Sequence, residues 1–573
     1  MPIDDALRRA AEEWIAADPD PATRAELRSL LAVGDQAALA DRMAGTLAFG
    51  TAGIRGAVGA GSNRMNRAVV IRTTRGLADY LAATRPGAGP VVVGFDGRLS
   101  SRAFAEDAVG VLAAAGVPVR YFPEVAPTPL VAYAARVLGA SAAAVVTASH
   151  NPPQDNGYKV YDANAAQIVP PADAGIAAAI DRVGRAVDVP RVEGALAGAS
   201  DLARPIEASL TARYVEEVLA LRPSIPADRR LRIVYTPLHG VGRVLAERVL
   251  RTAGFADLAV VAEQAEPDGS FPTVAFPNPE EPGALDLARA LAARVGADLI
   301  LANDPDADRL AVCLPRDGGW RMLTGNQVGQ LLADFLLEHA GPGPTPLVVN
   351  SIVSSPMLAS IAAAYGARWE ATLTGFKWIA NAALDLEAAE GTRFVFGYEE
   401  ALGYTAGPVV RDKDGISAAL LFAELAAHCR AVGETVFDRL ARLYRRHGLW
   451  VSVQHSVVRP GSQGAAEIAT AMELLGRSRP KRLSGVEVTA VTDFREGAEQ
   501  RPRWLGASPL VALELGPAGR ALVRPSGTEP KLKIYVDRRV DLAEKDDSRQ
   551  VEARAIEEAG SVATELAGFL GFG

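Results

Sequence analysis

The chain is poor in cysteine and contains no long apolar run. Its two cysteines, Cys313 and Cys429, lie far apart in sequence, which argues against a disulfide framework and a cysteine-based zinc site. No apolar run reaches the roughly 18 residues that a membrane-spanning helix needs. The N-terminus carries acidic residues early and has no apolar segment of the signal-peptide type. These absences predict a cytoplasmic protein without a membrane partner.

Aromatic residues and positive charge are also scarce. Aromatic side chains make up 6% of the 573 residues, and 60 Lys and Arg face 68 Asp and Glu, for a net charge of −8. Because there is no long basic run either, this composition argues against a nucleic-acid partner. An acidic chain still binds phosphate groups wherever a few Arg and Lys converge locally.

The order of apolar segments predicts an α/β protein of several domains. Helical spacing marks the first fifty residues, and strands then alternate with helices in three rounds that begin near residues 90, 231 and 346. This alternation is typical of mixed or parallel sheets covered by helices on both faces. Beyond residue 450 an α+β pattern follows, with a hairpin expected at residues 516–519. We predict α/β domains over residues 1–205, 206–322 and 323–447, and a smaller α+β domain over residues 448–573.

A polar segment, TASHNPPQDNGYK at residues 147–159, directly follows an apolar strand. Ligands of α/β sheets bind at the carboxyl ends of strands, where this loop is placed. Ser149 in this loop has His150 beside it and Lys159 ten residues later. A serine hydrolase is disfavoured, because the chain lacks a Gly-x-Ser-x-Gly elbow.

A second polar loop, NDPDADR at residues 303–309, also follows an apolar strand. Its three Asp residues stand at alternate positions and can converge as oxygen ligands on one hard cation. An EF-hand is excluded, since its loop needs Gly at the position of Arg309 and Glu at that of Pro315. An aspartyl nucleophile of the haloacid-dehalogenase type stays an alternative, although the third Asp fits a metal cage better.

Other segments contain side chains suited to phosphates and sugars. RPSGTEPK at residues 524–531 combines Arg, two hydroxyls and a Gly-opened backbone into a compact phosphate cradle. GYEEALGY at residues 397–404 offers paired Glu side chains to sugar hydroxyls. The weaker signals are TGFKW at 374–378, DKDG at 412–415, and GTAGIRG at 50–56, which is neither a P-loop nor a dinucleotide fingerprint.

In this order and across most of the chain, these segments resemble the α-D-phosphohexomutase family. They are similar to its phosphoserine, metal, sugar and phosphate loops. LAFGTAGIRG at 47–56, NRMN at 63–66 and FPNPEE at 276–281 resemble the branch that holds phosphopentomutases and some bacterial phosphoglucomutases. The resemblance implies three similar α/β domains with mixed sheets and a smaller, mobile α+β domain around a central cleft.

The resemblance also implies a phosphosugar mutase, an intramolecular phosphotransferase of the isomerase class. Such an enzyme uses Mg²⁺, a sugar bisphosphate such as glucose 1,6-bisphosphate as activator, and small sugar phosphates as partners. Ser149 is implied to be phosphorylated in the active enzyme. The implied roles are catalysis by Ser149, Lys159, Arg55 and His150; metal binding by Ser149, Asp304, Asp306 and Asp308; substrate binding by Arg309, Thr374, Gly375, Lys377, Glu399 and Lys413; and phosphate binding by Arg524, Ser526, Gly527 and Thr528.

The sugar loop departs from the better-known branches of this family. They have Glu-x-Ser where this chain has Ala401 in place of Ser, and Leu402 and Gly403 follow instead of Gly-His. Hexose preference is therefore not carried over from them. We expect a phosphoglucomutase, with phosphomannomutase or phosphopentomutase as alternatives. A metal-dependent sugar phosphatase is a rival from another class, and a silent sugar-phosphate sensor is disfavoured because nucleophile and metal ligands are all present.

Overall fold

The structure is a computed structural model that describes residues 3–50, 53–459, 461–526 and 531–572. It contains two compact units, each made of several segments. The first unit comprises Met1–Arg222, Arg229–Met322 and Gly403–Ala423, and the second comprises Pro223–Asp228, Leu323–Leu402 and Glu424–Gly573.

Three helices open the first unit: α1 (Asp5–Ala17), α2 (Pro21–Val33) and α3 (Gln36–Arg42). Their ends follow from the sequence, as α2 shows. The side chain of Asp20 accepts a hydrogen bond from the Ala22 amide, Pro21 occupies the first turn, and Gly34 ends the helix at φ 73°. Leu27 and Leu39 are fully buried in the small core of these helices.

A six-stranded mixed sheet follows in the first unit. Its order is β1-β5-β4-β2-β3-β6; the pairings through β2, β3, β4 and β6 are parallel, and β5 pairs antiparallel with β1 and β4. Every residue of β2 and β4 is buried, as expected for strands covered on both faces. The elements are β1 (Ile54–Ala57), α4 (Arg67–Thr84), β2 (Val91–Phe95), α5 (Ser101–Ala114), β3 (Val119–Tyr121), α6 (Thr128–Val137), β4 (Ala142–Val146), β5 (Asp155–Tyr161), α7 (Ala172–Asp181) and β6 (Ala203–Pro205).

The second sheet of this unit is also mixed, with the order β11-β10-β9-β7-β8. Strand β7 pairs in parallel with β8 and β9, whereas β10 pairs antiparallel with β9 and β11. The elements are α8 (Ala208–Leu219), β7 (Ile233–Thr236), α9 (Arg243–Ala253), β8 (Leu258–Val260), α10 (Asp286–Val295), β9 (Leu299–Asn303), β10 (Leu310–Arg316) and β11 (Gly319–Met322).

Leu323 begins the longest segments of the second unit, where β12 pairs in parallel with β13 and β14. Helix α11 starts in a capping box formed by Thr324 and Gln327. The elements from here to His447 are α11 (Gly325–Glu338), β12 (Pro346–Ser351), α12 (Met357–Ala364), β13 (Arg368–Thr372), α13 (Phe376–Glu390), β14 (Arg393–Glu399), β15 (Gly403–Ala406), α14 (Gly415–Ala431) and α15 (Val436–His447). Of these, β15 and α14 as far as Ala423 belong to the first unit.

The C-terminal part of the second unit is an antiparallel sheet of order β16-β22-β21-β20-β19. The predicted hairpin joins β20 to β21. The predicted strand over residues 486–491 is two strands, because β18 pairs with β17 while β19 pairs with β20. The elements are β16 (Leu449–Val458), α16 (Gly461–Arg477), β17 (Arg482–Leu483), β18 (Val486–Glu487), β19 (Ala490–Asp493), β20 (Val511–Glu514), β21 (Gly519–Pro525), β22 (Lys531–Val540) and α17 (Ser548–Phe569).

These sheets confirm the predicted fold class of α/β regions with mixed or parallel sheets and an α+β C-terminal region. The four domain ranges stay a prediction. Among the described residues, no single helix combines the length and apolar content needed to cross a membrane, although α14 and α15 together, bent by 92°, meet those two criteria.

Candidate active site

Ser149 lies in the loop between β4 and β5, at the carboxyl end of the buried strand β4. The residue is 2% exposed, and its Oγ donates a hydrogen bond to Asp304 Oδ2 over 2.7 Å. His150 Nδ1 lies 3.2 Å from the same Oγ. The backbone of Ser149 is in the left-handed region, at φ 51°, and its amide donates to Thr147 Oγ1 over 2.8 Å. The hydroxyl is therefore held toward the aspartate loop by a constrained backbone.

The aspartate loop connects β9 to β10. A tight turn shapes it, in which the Ala307 amide donates to the Asp304 carbonyl over 2.9 Å and Ala307 has φ 57°. Asp304, Asp306 and Asp308 are at most 1% exposed, and one carboxylate oxygen from each lies within 4.8 Å of the others. The three carboxylates that the sequence spaces at alternate positions thus converge on one point.

Besides Ser149, two lysines and the Thr128 hydroxyl contact this carboxylate group. Lys159 Nζ, from β5, donates to Asp306 Oδ2 over 2.8 Å and to Asp308 Oδ2 over 3.0 Å. Lys413 Nζ lies 3.1 Å from Asp308 Oδ2. Thr128 Oγ1, at the start of α6, donates to Asp306 Oδ2 over 2.6 Å. Burial of three negative charges is offset by cations from two other segments of the same unit.

The three carboxylates differ in their proton affinity. Burial and the negative charges of Asp306 and Asp308 raise the pKa of Asp304 well above its usual range. Burial also acts to raise the pKa of Asp306, but the Lys159 ammonium outweighs it and holds the pKa below the usual range. For Lys159, burial lowers the pKa, yet the charges of Asp306 and Asp308 dominate and raise it above the ordinary value. Lys159 is therefore a cation beside its two partners.

The donor set fits a hard divalent cation. Asp306 Oδ1 and Asp308 Oδ1 are buried and have no hydrogen-bond partner among the described residues. Buried carboxylate oxygens rarely stay without partners unless an ion or water completes the site. Oxygen ligands from carboxylates are those that Mg²⁺ prefers. Asp304, Asp306 and Asp308 can together hold such an ion.

The other residues predicted for catalysis surround the serine loop. Arg55 donates from one terminal nitrogen to Asn151 Oδ1 over 2.8 Å. Burial and the positive charges of Arg309 and Arg55 lower the pKa of His150 well below its usual value, so its imidazole is neutral near pH 7. Arg309 Nε lies 4.0 Å from Asp308 Oδ1. The first unit thus brings together the predicted residues Arg55, Ser149, His150, Lys159, Asp304, Asp306, Asp308, Arg309 and Lys413.

Sequence reasoning missed two residues that contact this group, Arg98 and Thr128. Arg98 is 4% exposed and donates hydrogen bonds to backbone carbonyls of the serine loop. Its sequence signal was available, because Asp96, Gly97 and Arg98 directly follow the apolar strand β2 in the same way as the serine loop follows β4. Thr128 is the first residue of a helix, and nothing in the sequence distinguishes it from a helix start.

The predicted sugar-binding residues Thr374, Gly375, Lys377 and Glu399 lie in the second unit. Glu399 Oε1 accepts a hydrogen bond from the Gly375 amide over 2.7 Å, so the two predicted segments are in contact. Lys377 is 6% exposed, with Nζ 5.2 Å from the centre of the Trp378 ring system. The neighbouring Glu400 Oε2 accepts from Ser354 Oγ over 2.9 Å and from Ser351 Oγ over 3.1 Å. The Glu400 carboxylate is thus hydrogen-bonded to serines at the end of β12 and in the loop after it. The Glu399 carboxylate is hydrogen-bonded to the turn before α13.

The predicted phosphate loop lies in the second unit, between β21 and β22. Arg524 donates to Tyr535 Oη over 3.3 Å, and its guanidinium carbon lies 5.8 Å from the centre of that ring. Arg524 Nε has no hydrogen-bond partner in the described part of the chain. The Ser526 amide donates to the Lys531 carbonyl over 2.7 Å. Gly527 and Thr528 lie outside the described residues.

Four successive segments of the chain match the domains of one protein family. Residues 46–186, 212–318 and 324–447 match the alpha/beta/alpha domains I, II and III of phosphoglucomutase/phosphomannomutase. Residues 487–555 match the C-terminal domain of the same family. The N-terminal helices α1 to α3 lie outside these matches.

Curated relatives with different substrate names are similar over most of the chain. A Haemophilus influenzae protein named "Probable phosphomannomutase" is 41% identical over 83% of this chain and 93% of its own length. A phosphopentomutase of Mus musculus is 35% identical over 93% of this chain and 90% of its own length. A phosphoglucomutase of Staphylococcus epidermidis is 35% identical over 86% of this chain and 90% of its own length.

Solved structures share the fold. A phosphoglucomutase of Paramecium, parafusin in an open form, has a TM-score of 0.67 at 18% identity and covers 91% of this chain and 95% of its own. A phosphoglucomutase/phosphomannomutase family protein of Burkholderia thailandensis has a TM-score of 0.65 at 21% identity and covers 91% and 97%. With four domain matches in order, this chain belongs to the phosphoglucomutase/phosphomannomutase family and is a phosphosugar mutase of the isomerase class.

Proposed function

We propose that the chain interconverts glucose 1-phosphate and glucose 6-phosphate through a phosphoserine at Ser149. The observation that carries this proposal is the 2.7 Å hydrogen bond from Ser149 Oγ to Asp304, one of three converging buried carboxylates. A hydroxyl placed against a cation-binding group is the arrangement that phosphoryl transfer needs, since its catalysis depends on positioning and charge stabilisation.

We assign Asp304, Asp306 and Asp308 as ligands of Mg²⁺, joined by the phosphate of Ser149 once that residue is phosphorylated. When bound, Mg²⁺ supplies charge neutralisation and Lewis-acid polarisation of the transferring phosphoryl group. Lys159 and Lys413 contribute fixed positive charge at the same carboxylates. In this assignment the Asp residues are ligands and Ser149 is the nucleophile, which distinguishes the chain from a haloacid-dehalogenase-type enzyme.

Proton transfer at the reacting hydroxyl is assigned to the groups around Ser149. We assign the neutral imidazole of His150, whose Nδ1 lies 3.2 Å from Ser149 Oγ, to accept the proton that the sugar hydroxyl loses when it attacks the phosphoryl group. Lys159 is protonated beside Asp306 and Asp308, so it is better suited to donate a proton than to remove one. Arg55, fixed by Asn151, stabilises negative charge on the incoming oxygen.

A mutase transfers one phosphoryl group from its serine to the sugar, and the serine must then take back the other phosphoryl group of the sugar. We propose that phospho-Ser149 donates to the free hydroxyl, giving glucose 1,6-bisphosphate, and that the other phosphate of this intermediate returns to Ser149. Free glucose 1,6-bisphosphate then activates dephosphorylated enzyme. Glu399 and Lys377 are proposed to bind sugar hydroxyls, and Arg524, Ser526, Gly527 and Thr528 to bind a phosphate. Arg524 Nε, which has no hydrogen-bond partner among the described residues, supports its part in this assignment.

The identity of the sugar is the most specific part of the proposal. Relatives named as phosphomannomutase, phosphopentomutase and phosphoglucomutase are 41%, 35% and 35% identical to this chain. Ala401 removes the serine hydroxyl of the better-known Glu-x-Ser loops, so Glu399 has to discriminate among sugars without it. Mannose 1-phosphate and ribose 1-phosphate are therefore the alternative substrates, with the same chemistry at Ser149.

One coupled assay compares glucose 1-phosphate, mannose 1-phosphate and ribose 1-phosphate, with Mg²⁺ and catalytic amounts of the matching bisphosphate. We expect the highest kcat/KM with glucose 1-phosphate. Ser149→Ala should abolish turnover, whereas Ser141→Ala, a matched control just before β4, should not. Release of inorganic phosphate without isomerisation identifies a phosphatase instead, and near-native turnover in Ser149→Ala removes the phosphoserine from the mechanism.

A further inference from the structure

The buried guanidinium of Arg98 binds four backbone carbonyls of the serine loop. One terminal nitrogen donates to the carbonyl oxygens of Pro152 over 2.7 Å and Asp155 over 2.8 Å. The other terminal nitrogen donates to those of Ser149 over 2.7 Å and Asn151 over 2.6 Å. The guanidinium therefore fixes both ends of the turn that carries Ser149 Oγ.

Arg98 is itself fixed by its surroundings. Asp96 Oδ1 accepts hydrogen bonds from the Arg98 amide over 3.0 Å and from Ser101 Oγ over 2.6 Å, and Asp96 Oδ2 lies 3.4 Å from Arg98 Nε. The ring of Phe271 stacks against the guanidinium, with 5.2 Å between its centre and the guanidinium carbon. A side chain held by an ion pair, an aromatic face and burial has little freedom to follow a moving loop.

Ser149 needs such support because its backbone is strained. A non-glycine residue at φ 51° persists only where the surrounding structure over-determines it. Two hydrogen bonds hold the backbone of Ser149: its carbonyl accepts from Arg98, and its amide donates to Thr147 Oγ1. The direction of Ser149 Oγ depends on this conformation, because the same backbone angles set where the side chain points.

We infer that Arg98 is a positioning residue that keeps Ser149 in the left-handed conformation in which its Oγ reaches the aspartate loop. The inference rests on the proposed role of Ser149 as phosphoryl acceptor and donor. Lysine cannot replace Arg98, since one ammonium cannot span four carbonyls as a planar guanidinium does. Arg98 acts through Ser149, so its loss lowers kcat and leaves KM for the sugar phosphate nearly unchanged.

The experiment compares Arg98→Lys and Arg98→Ala with the wild type and with Arg102→Ala. Arg102 lies four residues later on the same segment with its side chain 60% exposed, which makes it a matched control. Three experiments are made. Steady-state kinetics give kcat and KM with glucose 1-phosphate, and intact mass follows the single-turnover rate of Ser149 phosphorylation by glucose 1,6-bisphosphate. The third tests rescue of Arg98→Ala by guanidinium below denaturing concentration.

We expect both Arg98 variants to lose about 10²-fold in kcat and in the phosphorylation rate, with KM within about threefold of the wild type. Added guanidinium should raise kcat of Arg98→Ala about tenfold. It should not raise kcat of Arg98→Lys, whose ammonium occupies the site. Arg102→Ala should match the wild type. A general loss of structure predicts neither the constant KM nor rescue by a small cation.

Two outcomes separate this inference from the proposed function. If the wild type itself takes up no phosphate on Ser149 from the bisphosphate, the proposed function is wrong. If the wild type is phosphorylated and folded Arg98→Lys is phosphorylated equally fast, the positioning role of Arg98 alone is wrong. Should Arg98→Ala not fold, Arg98→Lys and Asp96→Asn give the same comparison. Asp96→Asn removes the negative charge beside Arg98 and nearly preserves the side-chain volume at position 96.

Discussion

Two buried loops of the first unit, after β9 and before α14, both carry Asp residues at alternate positions. Of the two, only the loop after β9 has carboxylate oxygens without a hydrogen-bond partner among the described residues. Asp304, Asp306 and Asp308 follow β9, and Asp412 and Asp414 precede α14; all are at most 1% exposed. Spacing and burial are therefore the same in both loops. The difference lies in what the carboxylate oxygens contact.

In the Asp412 and Asp414 loop, phenol and amide groups satisfy the carboxylates. Asp412 Oδ2 accepts from Tyr161 Oη over 2.6 Å and from Gln167 Nε2 over 3.0 Å. Asp414 Oδ1 caps α14 by accepting from the Ile416 and Ser417 amides over 3.0 and 3.1 Å, and Tyr214 Oη donates to both of its oxygens. This loop is a structural connection of α14, β5 and α8.

In the aspartate loop after β9, one oxygen each of Asp306 and Asp308 has no such donor among the described residues. The other oxygens of the three carboxylates accept from two ammonium groups, the hydroxyls of Ser149 and Thr128, and the Arg309 amide. Alternate aspartates can form a metal site only where some of their buried carboxylate oxygens are left without a hydrogen-bond donor. Lys413 joins the two loops, with Nζ 3.1 Å from Asp308 Oδ2 and 3.4 Å from Asp412 Oδ1.

The largest difference between the loops should appear on neutralising Asp306. We expect Asp306→Asn to lower mutase activity by about 10³-fold, because a lost ligand removes several kcal/mol of charge stabilisation. In wild type, Mg²⁺ at ten times its Kd should stabilise the fold by about 1.4 kcal/mol, measured by thermal unfolding. That stabilisation should vanish in Asp306→Asn. The matched control is Asp317→Asn, at an exposed hairpin turn of the same unit, and an unchanged Mg²⁺ response in Asp306→Asn would contradict the assignment.

The next largest loss of activity is expected at Lys413, because its ammonium lies close to one carboxylate of each loop. Lys413→Met keeps the side-chain length but removes the charge that faces Asp308, so we expect a loss of about 10- to 100-fold in kcat/KM. The Mg²⁺ stabilisation should persist, since the three carboxylates remain. Lys481→Met, at an exposed position of the second unit, is the control. Equal kinetics in the two variants would remove Lys413 from the site.

The order of strands and polar loops made much of this site predictable. Ser149 and the three aspartates follow the apolar strands β4 and β9, each at the carboxyl end where α/β sheets bind ligands, and Lys159 lies on the neighbouring strand β5. Pairing of β5 with β4 then places Lys159 opposite Val145, a position that needs only the two strands and their register. Local patterns of this kind predict elements and the loops between them.

Other parts of the site depend on contacts that no local pattern encodes. Arg98, in the loop before α5, contacts Ser149 across 51 residues of sequence, and Thr128, at the start of α6, contacts Asp306 across 178 residues. The two Asp-x-Asp loops are alike in sequence, and Tyr161 and Tyr214, which separate their roles, lie about 200 residues or more from the carboxylates that they satisfy. Such distinctions arise from tertiary packing alone.

Tyr161→Phe should reduce activity less than the two preceding variants, because Tyr161 influences the active site only through Asp412 and Lys413. The variant removes the 2.6 Å hydrogen bond to Asp412 and leaves Gln167 as the donor to that oxygen. We expect the free energy of unfolding to fall by about 1–3 kcal/mol and kcat to fall by about fivefold, as Asp412 shifts beneath Lys413. Urea unfolding and steady-state kinetics measure the two effects. A normal kcat with reduced stability would mean that Lys413 does not depend on Asp412 for its position.

The smallest functional effect is expected for Tyr214→Phe, on the structural side of the second loop. Phenylalanine preserves the edge-to-face contact with Tyr133, whose ring centre lies 5.3 Å away, but it removes the only phenol that donates to Asp414 among the described residues. Because one partner of a buried pair is removed and the carboxylate stays, stability should fall by about 1–3 kcal/mol. Activity and the Mg²⁺ response should stay within twofold of the wild type, since Asp414 keeps its two amide donors. A loss of activity as large as that of Tyr161→Phe would show that the two aspartates of this loop act together on the active site, and the division between a metal loop and a structural loop would then fail.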